Sequence, residues 1–288
     1  MNGVIRGLVL VGLALSTVAA QAVDCAAVRA RFQCAADGVK YPLHLSFDDG
    51  PALQTADVLD VLKRERVPAT FFVLANKIEC KAIADQCAAN GGQFLDEATA
   101  NNLPGNSPVD CKTAVQQCEQ RKQILTRAKR EGHTIGSHSY QHLHYSEVDP
   151  ALRREHFRLA RQLLNPYLTT NPPLFRLPYG DGWFTRDKDG RTMQALKEAG
   201  FQHVAWQFSA FDWDEKNQQG DKILANVLEQ VCHRQQGGVV LFHDGMHDHM
   251  HKGRVFTTTH LQEWIPSLRC VVDFKPLSFF EKGYTARR

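Results

Sequence analysis

Five short polar motifs follow one another along the chain, each directly after a short apolar run that is typical of a β-strand. Parallel strands present their carboxyl ends at one edge of a sheet or barrel, so side chains at those positions can meet in one site. One carboxylate and two histidines would supply three metal ligands. A second carboxylate and a third histidine would remain for proton transfer. Together these are the functional groups that a metal-dependent hydrolase needs. The motifs are Asp48-Asp49, His138-x-x-x-His142, Arg176-Leu177-Pro178-Tyr179, Asp212-Trp213 and His243-Asp244.

Two of the histidines, His138 and His142, have the spacing of a metal-binding pair. This spacing places both imidazoles on one face of a helical turn, so that both can reach one ion. Two histidines at this spacing can also be ordinary surface residues. Their position directly after the apolar run 134–136 favours the metal interpretation. The neighbouring His144 is expected to lie at the surface or behind the ligands.

The adjacent carboxylates Asp48 and Asp49 stand between an apolar run and the dipeptide Gly50-Pro51. Asp-Asp-Gly-Pro is strong turn chemistry, so a turn is expected here whether or not the carboxylates have a function. Because neighbouring residues point in different directions, one carboxylate can bind a metal while the other faces a substrate. A bound metal would favour the charged form of both.

Arg176, Asp212 and His243 complete the set of polar groups that follow the apolar runs. The guanidinium of Arg176 can hold a carboxylate and fix its orientation. A carboxylate such as Asp212 on one imidazole nitrogen raises the proton affinity of His243 and orients its ring, which makes the histidine a competent proton donor. Each residue alone could be part of a surface ion pair or a loop. The order of the five motifs favours one shared site.

A further histidine cluster follows the last motif, at His247, His249 and His251. The cluster could form an additional metal site. It lies, however, in a segment expected to be a loop, where imidazoles are easily solvated. We expect these three side chains to line the rim of a cleft or to have no chemical role.

The chain has 288 residues, of which 43% are hydrophobic, and this is enough to bury one substantial core in a single α/β domain. Its formal net charge is +3 and it contains no basic run, so nucleic-acid binding is not expected.

Residues 1–22 have the features of an export signal, ending in the small-x-small cleavage pattern at Ala20-Gln21-Ala22. The apolar run 8–18 is too short for a comfortable membrane span, so an uncleaved anchor is the less favoured alternative and no stable span is expected after cleavage. All eight cysteines lie beyond the cleavage point, which predicts four disulfides in an exported chain. A cysteine zinc site is disfavoured because no C-x-x-C pair occurs. The mature chain, residues 23–288, is therefore expected in the periplasm or secreted.

Apolar periodicity predicts strands that alternate with helices, and such alternation argues for a parallel sheet, closed or open. A helix is predicted to begin at Thr55, which can cap its first turn. Two other helices are predicted to end before Pro166 and at Gly200. The predicted strands are 43–47, 69–74, 133–137, 201–206, 238–242 and 271–274, and the predicted helices include 124–130, 151–164, 193–199, 223–232 and 261–268.

A cysteine-bearing segment, about residues 76–120, interrupts the alternation with far more residues than a usual connection has. Its two C-x6-C pairs fit two antiparallel helices that are stapled as Cys80–Cys118 and Cys87–Cys111, with the turn at 101–108, because residues seven apart on one helix are too distant to bridge each other. An irregular loop with local 80–87 and 111–118 bridges is equally compatible with the sequence. With either arrangement, the remaining bridges are expected to be 25–34 and 232–270.

The motifs resemble those of the polysaccharide deacetylases, also known as the NodB-like, family-four carbohydrate esterases. The resemblance covers about residues 42–274 and implies a distorted (β/α) barrel, usually with seven strands, that removes acetyl groups from carbohydrates. A departure from the family pattern occurs at Ser209, where an Asp often stands three residues before the Asp-Trp pair. The segments that carry the resemblance are Leu45-Ser46-Phe47-Asp48-Asp49-Gly50-Pro51, Phe71-Phe72-Val73, His138-Ser139-Tyr140-Gln141-His142, Arg176-Leu177-Pro178-Tyr179-Gly180, Asp212-Trp213 and Leu241-Phe242-His243-Asp244.

The resemblance also implies roles for individual residues, carried over position by position. Asp48 is the general base that deprotonates the attacking water, and His243 is the general acid that protonates the leaving amine. The residues that support them are expected to be Arg176, which holds the base, and Asp212, which tunes the acid. The remaining roles are metal binding by Asp49, His138 and His142, a backbone N–H to the oxyanion from Tyr179, and the walls of an acetyl pocket from Trp213 and Leu241.

The function expected from this resemblance is metal-dependent removal of N-acetyl groups from N-acetylglucosamine in peptidoglycan or chitin-type oligomers. The alternatives are an O-acetyl esterase acting on xylan-like polysaccharide, a catalytically idle glycan-binding module and an amidase acting on a small non-sugar substrate. One carboxylate and two imidazoles suit zinc, cobalt or nickel, and zinc is the expected metal. The cysteine-bearing segment is expected to cover one side of the cleft.

Overall fold

The computed structural model describes residues 23–35, 38–94, 108–182, 187, 190–245 and 255–280. The predicted export signal, the predicted hairpin turn up to residue 107 and the His247, His249 and His251 cluster lie outside these residues. No helix within the described ranges is long and apolar enough to cross a membrane.

One parallel sheet forms the centre of the molecule. The strands are Tyr41–Gly50 (β1), Ala69–Val73 (β2), Gln93–Phe94 (β3), Val109–Asp110 (β4), Thr134–Ser137 (β5), Leu174–Phe175 (β6), Gln202–His203 (β7), Phe208–Ser209 (β8), Gly238–His243 (β9) and Val272–Phe274 (β10). The parallel sheet follows the order β7-β6-β5-β2-β1-β9-β8, with β10 parallel to the start of β1, whereas β3 and β4 form a separate antiparallel pair. The curled path of seven strands confirms the distorted barrel.

Helices connect most of these strands, as the alternating pattern predicts. Several begin at an aspartate whose side chain accepts backbone N–H bonds of the first turn: Asp24 for α1, Asp110 for α4 and Asp149 for α5. The helices are Cys25–Arg31 (α1), Thr55–Glu65 (α2), Cys80–Ala89 (α3), Cys111–Arg130 (α4), Pro150–Leu164 (α5), Arg191–Glu198 (α6), Lys222–Arg234 (α7) and Val255–Arg269 (α8).

The two faces of β1 have different roles, because successive strand residues point to opposite sides. On one face Phe47 stacks between Phe71 and Phe242, with ring centroids 5.3 and 5.8 Å apart, inside the main apolar core. Full burial of a side chain of this size contributes roughly 1.5–3 kcal/mol. On the other face Ser46 and Asp48 form polar contacts inside the barrel. The strand thus anchors the fold with one face and carries polar groups on the other.

One predicted strand needs correction, and one strand had not been predicted. The predicted strand 201–206 pairs only over Gln202–His203, and the chain pairs again at Phe208–Ser209, which the sequence pattern did not indicate. The cause is the edge position of β7: its ladder partner, Leu174–Phe175, is itself only two residues long.

Four disulfides link the described chain and leave no free cysteine in it. The hairpin pairing is confirmed: α3 and α4 pack together and are joined by Cys80–Cys118 and Cys87–Cys111.

The other pairing, 25–34 with 232–270, is wrong. Instead, Cys25 bonds Cys270 and Cys34 bonds Cys232. Cys25 is the first residue of α1, and Cys34 follows the end of that helix. Cys25 thereby meets Cys270, directly after α8, and Cys34 meets Cys232 in the last turns of α7. The short N-terminal helix is therefore fastened at both ends to the C-terminal part of the fold.

Candidate active site

Both carboxylates of the first motif point into one site because β1 has a bulge at Asp49. The ladder with β2 shifts register between Asp48 and Gly50, and Asp49 has a left-handed backbone, with φ of 68°. A regular strand would send neighbouring side chains to opposite faces. Here Asp48 Oδ2 and Asp49 Oδ1 lie 3.8 and 3.3 Å from the same atom, Nε2 of His138. Asp48, Asp49 and Gly50 thus belong to strand β1, and a bulge rather than the predicted turn brings the two carboxylates together.

The histidine pair lies together, but not on a helix. Residues 138–144 form an irregular loop after β5, and Ser139 has a positive φ of 89°. The helical-turn expectation is therefore wrong, because the loop reverses at Ser139 instead of winding into a helix. His138 and His142 still meet, with ring centroids 5.0 Å apart and each Nε2 3.3 Å from Asp49 Oδ1.

The three groups form a site that a cation fits. One atom from each of Asp49, His138 and His142 lies within 4.8 Å of the other two. Nδ1 of His138 lies 2.8 Å from the backbone oxygen of Arg176, and a carbonyl can only accept, so Nδ1 carries the proton. In the neutral ring Nε2 then directs a lone pair toward the Asp49 carboxylate, and the two groups repel each other. A cation bound by both would remove this repulsion.

The charges around His138 also affect its proton affinity. Burial lowers the pKa of His138, but the charges of Asp48 and Asp49 outweigh burial and hold that pKa above its usual range. A site that raises the proton affinity of a fully buried imidazole has an excess of negative charge. This excess favours a divalent cation in the same place.

Arg176 is fully buried and lies directly behind Asp48. Its Nη1 donates to Asp48 Oδ1 and to Ser46 Oγ, both at 2.8 Å, while the guanidinium lies 4.1 Å from the centroid of the Phe72 ring. The remaining donors reach backbone carbonyls of the segment after β7. Such a cation fixes the orientation of the Asp48 carboxylate and lies as its ion-pair partner in the buried site.

Asp212 and His243 form a second buried pair. Asp212 Oδ1 lies 2.7 Å from His243 Nδ1, and Asp212 Oδ2 accepts from the backbone N–H of His243 and from Thr257 Oγ1. Burial raises the pKa of Asp212, but His243 and Thr257 outweigh it, so the pKa lies below its usual value. Thr257 belongs to α8, and no sequence pattern indicated its contact with Asp212, which only the fold creates.

The two pairs lie side by side. Asp48 on β1 is the ladder partner of His243 on β9, and two residue pairs earlier Ser46 faces Leu241. A base and an acid candidate on neighbouring strands at one level can therefore act on opposite sides of one small group. Leu241 is 6% exposed and lies two residues before His243 on β9.

Tyr179 lies at the mouth of the site, in a short turn at Pro178–Gly180, and has a positive φ of 56°. Its ring, 44% exposed, packs edge-on against His142 at 4.4 Å and face to face with His144 at 3.6 Å. His144, expected at the surface or behind the ligands, is thus half-exposed and stacked on Tyr179. Trp213 stands 41% exposed beside Phe211, with centroids 6.5 Å apart.

Comparison with known proteins agrees with this geometry. The sequence profile of the family described as polysaccharide deacetylase matches residues 36–204, more than half of the chain. The chain belongs to the polysaccharide deacetylase family. The matched range includes both carboxylates, both histidines of the triad and Arg176. Asp212, Trp213, Leu241 and His243 lie beyond it; the structure places the Asp212–His243 pair beside Asp48.

Individual relatives are deacetylases of amino-sugar polymers. A chitooligosaccharide deacetylase of Bradyrhizobium sp. is 28% identical over 205 residues, 70% of this chain and 70% of the relative. A peptidoglycan-N-acetylglucosamine deacetylase of Bacillus cereus is 27% identical over 73% of this chain, which spans a little over half (58%) of that relative. The crystal structure of another peptidoglycan N-acetylglucosamine deacetylase superposes with a TM-score of 0.53 at 26% identity, covering 80% of this chain and 82% of that one.

Proposed function

We propose that this deacetylase removes N-acetyl groups from N-acetylglucosamine residues of a glycan and releases acetate. The observation that carries the proposal is the arrangement of the buried pairs Asp48–Arg176 and His243–Asp212 on adjacent strands beside the Asp49, His138 and His142 cluster. The amino-sugar deacetylases among its relatives support N-acetylglucosamine as the substrate unit, in chitin-type oligomers or peptidoglycan.

Asp49, His138 and His142 would hold a divalent cation, and zinc is the metal we propose; cobalt and nickel suit the same ligands. Such a cation, when bound, activates water and polarises the acetyl carbonyl. The backbone oxygen of Arg176 orients the ring of His138 toward it through Nδ1.

Asp48 is proposed as the general base. Its carboxylate is 2% exposed and held by Arg176, so its orientation toward an attacking water is fixed before the substrate arrives. Tyr179 is proposed to donate its backbone N–H to the oxyanion that forms on the acetyl carbonyl. The left-handed backbone at this residue supports that role, because it re-aims the peptide group at the mouth of the site.

His243 is proposed as the general acid that protonates the leaving amine. Asp212 occupies its Nδ1 and orients the ring, which leaves Nε2 for the substrate. Leu241 and Trp213 are proposed as walls of the pocket for the acetyl methyl group. Leu241 supplies a buried apolar surface and Trp213 an exposed aromatic one.

We further propose that the protein is exported to the periplasm or secreted. Residues 1–22 would be the signal peptide and residues 23–288 the catalytic domain, with the disulfide-stapled insertion at about 76–120. Four disulfides support an oxidising compartment, because such bonds do not persist in most cytosols. A glycan of the cell wall or surroundings is accessible there, and neither a nucleic acid nor a membrane is needed as a partner.

The test is acetate release by purified, Zn²⁺-loaded protein from chitin oligomers, peptidoglycan and acetylxylan, each with a chelator-treated control. We expect chelator-sensitive release from an N-acetylglucosamine glycan. Release from acetylxylan alone would assign an O-acetyl esterase instead, and no release from any of the three by Zn²⁺-bound protein would refute the proposal.

The matched variant is Asp48→Asn, which preserves shape but cannot act as a base. We expect its turnover to fall about 10²–10⁴-fold, the usual contribution of a general base, while Zn²⁺ binding stays at the wild-type level. Wild-type turnover in this variant would remove Asp48 from the role of the base.

A further inference from the structure

Asp49 has a backbone conformation that aspartate rarely adopts, and the site depends on it. Its φ of 68° belongs to the left-handed region, which costs a side-chain-bearing residue free energy. The same conformation creates the bulge that turns its carboxylate toward His138 and His142. A contact that holds this backbone in place therefore acts on the metal site without touching a metal.

Lys77 makes such a contact. Its side chain is 4% exposed, and its Nζ donates to the backbone oxygen of Asp49. A buried lysine is uncommon because its charge must leave water, and it persists where other groups compensate for that loss. Asp244, fully buried behind the bulge, is the acidic group that interacts with this charge. Asp244 directly follows the proposed acid His243 but has no role in the mechanism proposed above.

The turn that carries Lys77, Ala75–Ile78, also holds the histidine loop. The backbone N–H of Ala75 donates to the oxygen of Ser139 at 3.0 Å, and that of Asn76 donates to the oxygen of Tyr140 at 3.1 Å. One residue earlier, Leu74 N–H donates to the oxygen of Gly50 at 2.8 Å. A single short turn is thus bonded to the segments on both sides of the triad.

The opposite side of the Asp49 carbonyl is closed by backbone. A Cβ added at Gly245 would lie 2.2 Å from the oxygen of Asp49, and a Cβ at Gly50 would lie 2.7 Å from the carboxylate of Asp244. The chain after β9 therefore packs against the bulge too closely for any side chain. The chain after β9 and the side chain of Lys77 thus both contact the peptide group of Asp49.

We propose that Lys77 is a positioning residue for the metal site: its bond to the Asp49 carbonyl holds the left-handed bulge, and its turn sets the distance between the carboxylate and the two imidazoles. Lys77 does not touch substrate. The inference rests on the proposed role of Asp49, His138 and His142 as metal ligands and adds a residue outside that set.

The experiment measures Zn²⁺ affinity by competition with a chromogenic chelator, on purified metal-free protein, together with the melting temperature of the metal-free state. Lys77→Met keeps the length of the side chain and removes its donors. We expect it to bind Zn²⁺ at least tenfold more weakly than the wild type. The control is Lys81→Met, at an exposed position on α3 where the ammonium forms an ion pair with Asp85; it should keep wild-type affinity.

A purely structural role for Lys77 would lower the melting temperature and leave the Zn²⁺ affinity of the folded protein unchanged. Affinity within threefold of wild type in folded Lys77→Met therefore overturns the inference. Should that variant fail to fold, Lys77→Met with Asp244→Asn removes both buried charges and is held to the same two outcomes. A wild type that binds no Zn²⁺ overturns the proposed function as well, whereas equal binding by wild type and variant overturns this inference alone.

Discussion

At the scale of the residue, each proposed catalytic group is buried and held by a second residue. Asp48 is bonded to Arg176, and His243 to Asp212. Burying a charge without a partner costs several kcal/mol, so a buried site can contain these groups only as pairs. The pairing also fixes their orientation. Mutations should therefore be designed for each pair as a whole and for the residues that bond to the pair.

Thr257 offers a test of this view, because it touches Asp212 and nothing that reacts. Thr257→Val is nearly isosteric and removes the hydroxyl that donates to Asp212 Oδ2 at 2.7 Å. A hydrogen bond to a charged group contributes about 1.5–3 kcal/mol, so we expect kcat to fall roughly tenfold or more through a misplaced His243. The KM should stay near the wild-type value, because Thr257 lies behind the pair. Steady-state kinetics on a chitin oligomer measures both.

The control is Thr259→Val on the same helix. The hydroxyl of Thr259 is exposed and donates to the Phe256 carbonyl. Its kinetics should match the wild type. A tenfold rise in KM with unchanged kcat in Thr257→Val would mean that the threonine contacts substrate, contrary to the structure.

At the scale of the element, the sequence predicted where the chemistry lies better than how it is held. Asp48, Asp49 and His243 could be placed because polar residues at strand ends are visible in one dimension. The bulge at Asp49 and the loop between the two histidines could not, since left-handed backbones at non-glycine residues depend on contacts that distant segments make. The role of Lys77 could not be predicted either, because Lys77 contacts the backbone of Asp49, which is distant in sequence.

The stapled hairpin is an element whose base supports the site. Cys80 directly follows Glu79, whose carboxylate accepts the hydroxyl hydrogen of Tyr140 in the histidine loop at 2.7 Å. The second bridge, Cys87–Cys111, lies further out, at the end of α3. The predicted pairing followed from helix geometry, because seven-residue spacing on two antiparallel helices leaves one register that bonds all four cysteines.

The two bridges should therefore differ in their effect on function, not on stability. They close loops of similar length, with sequence separations of 38 and 24 residues, for which chain entropy differs by only about 0.4 kcal/mol. Replacing either pair by alanine should lower the melting temperature by similar amounts. Only the loss of Cys80–Cys118 should also weaken Zn²⁺ binding, severalfold, because it loosens the turn beside the ligands. Equal Zn²⁺ affinities in the two double variants would contradict this assignment.

At the scale of the whole molecule, the chain is closed by links between its two ends. Cys25–Cys270 and Cys34–Cys232 span 245 and 198 residues and fasten α1 to the C-terminal helices. The wrong pairs, 25–34 and 232–270, were the cysteines that remained after the four of the hairpin had been assigned, and the sequence pattern contained nothing that brings α1 to α7 and α8. The native pairing instead follows from the sheet order, which places β1 and β10 side by side and so brings both ends of the chain together.

Stability of the whole fold should also depend on pH through two buried histidines. Burial lowers the pKa of His44 to about 4 and that of His203 to about 4. An unfolded chain binds protons at both residues below about pH 6.5, whereas the folded protein does not until about pH 4, so protonation favours the unfolded state in this window. Stability is therefore fully present above pH 6.5 and is lost as pH falls toward 4.

We expect the free energy of unfolding, measured with urea in the presence of a chelator, to fall between pH 7 and pH 5 by about 2 kcal/mol for each of these histidines. His44→Gln keeps a side chain that can reach Thr70 and the Lys275 carbonyl, the present partners of the ring, but cannot take up a proton. Its loss of stability over the same interval should be smaller by about that amount, whereas His233→Gln, at an exposed position on α7, should follow the wild type. A His44→Gln profile parallel to the wild type would show that this ring does not couple protons to folding and would leave His203 as the buried histidine that does.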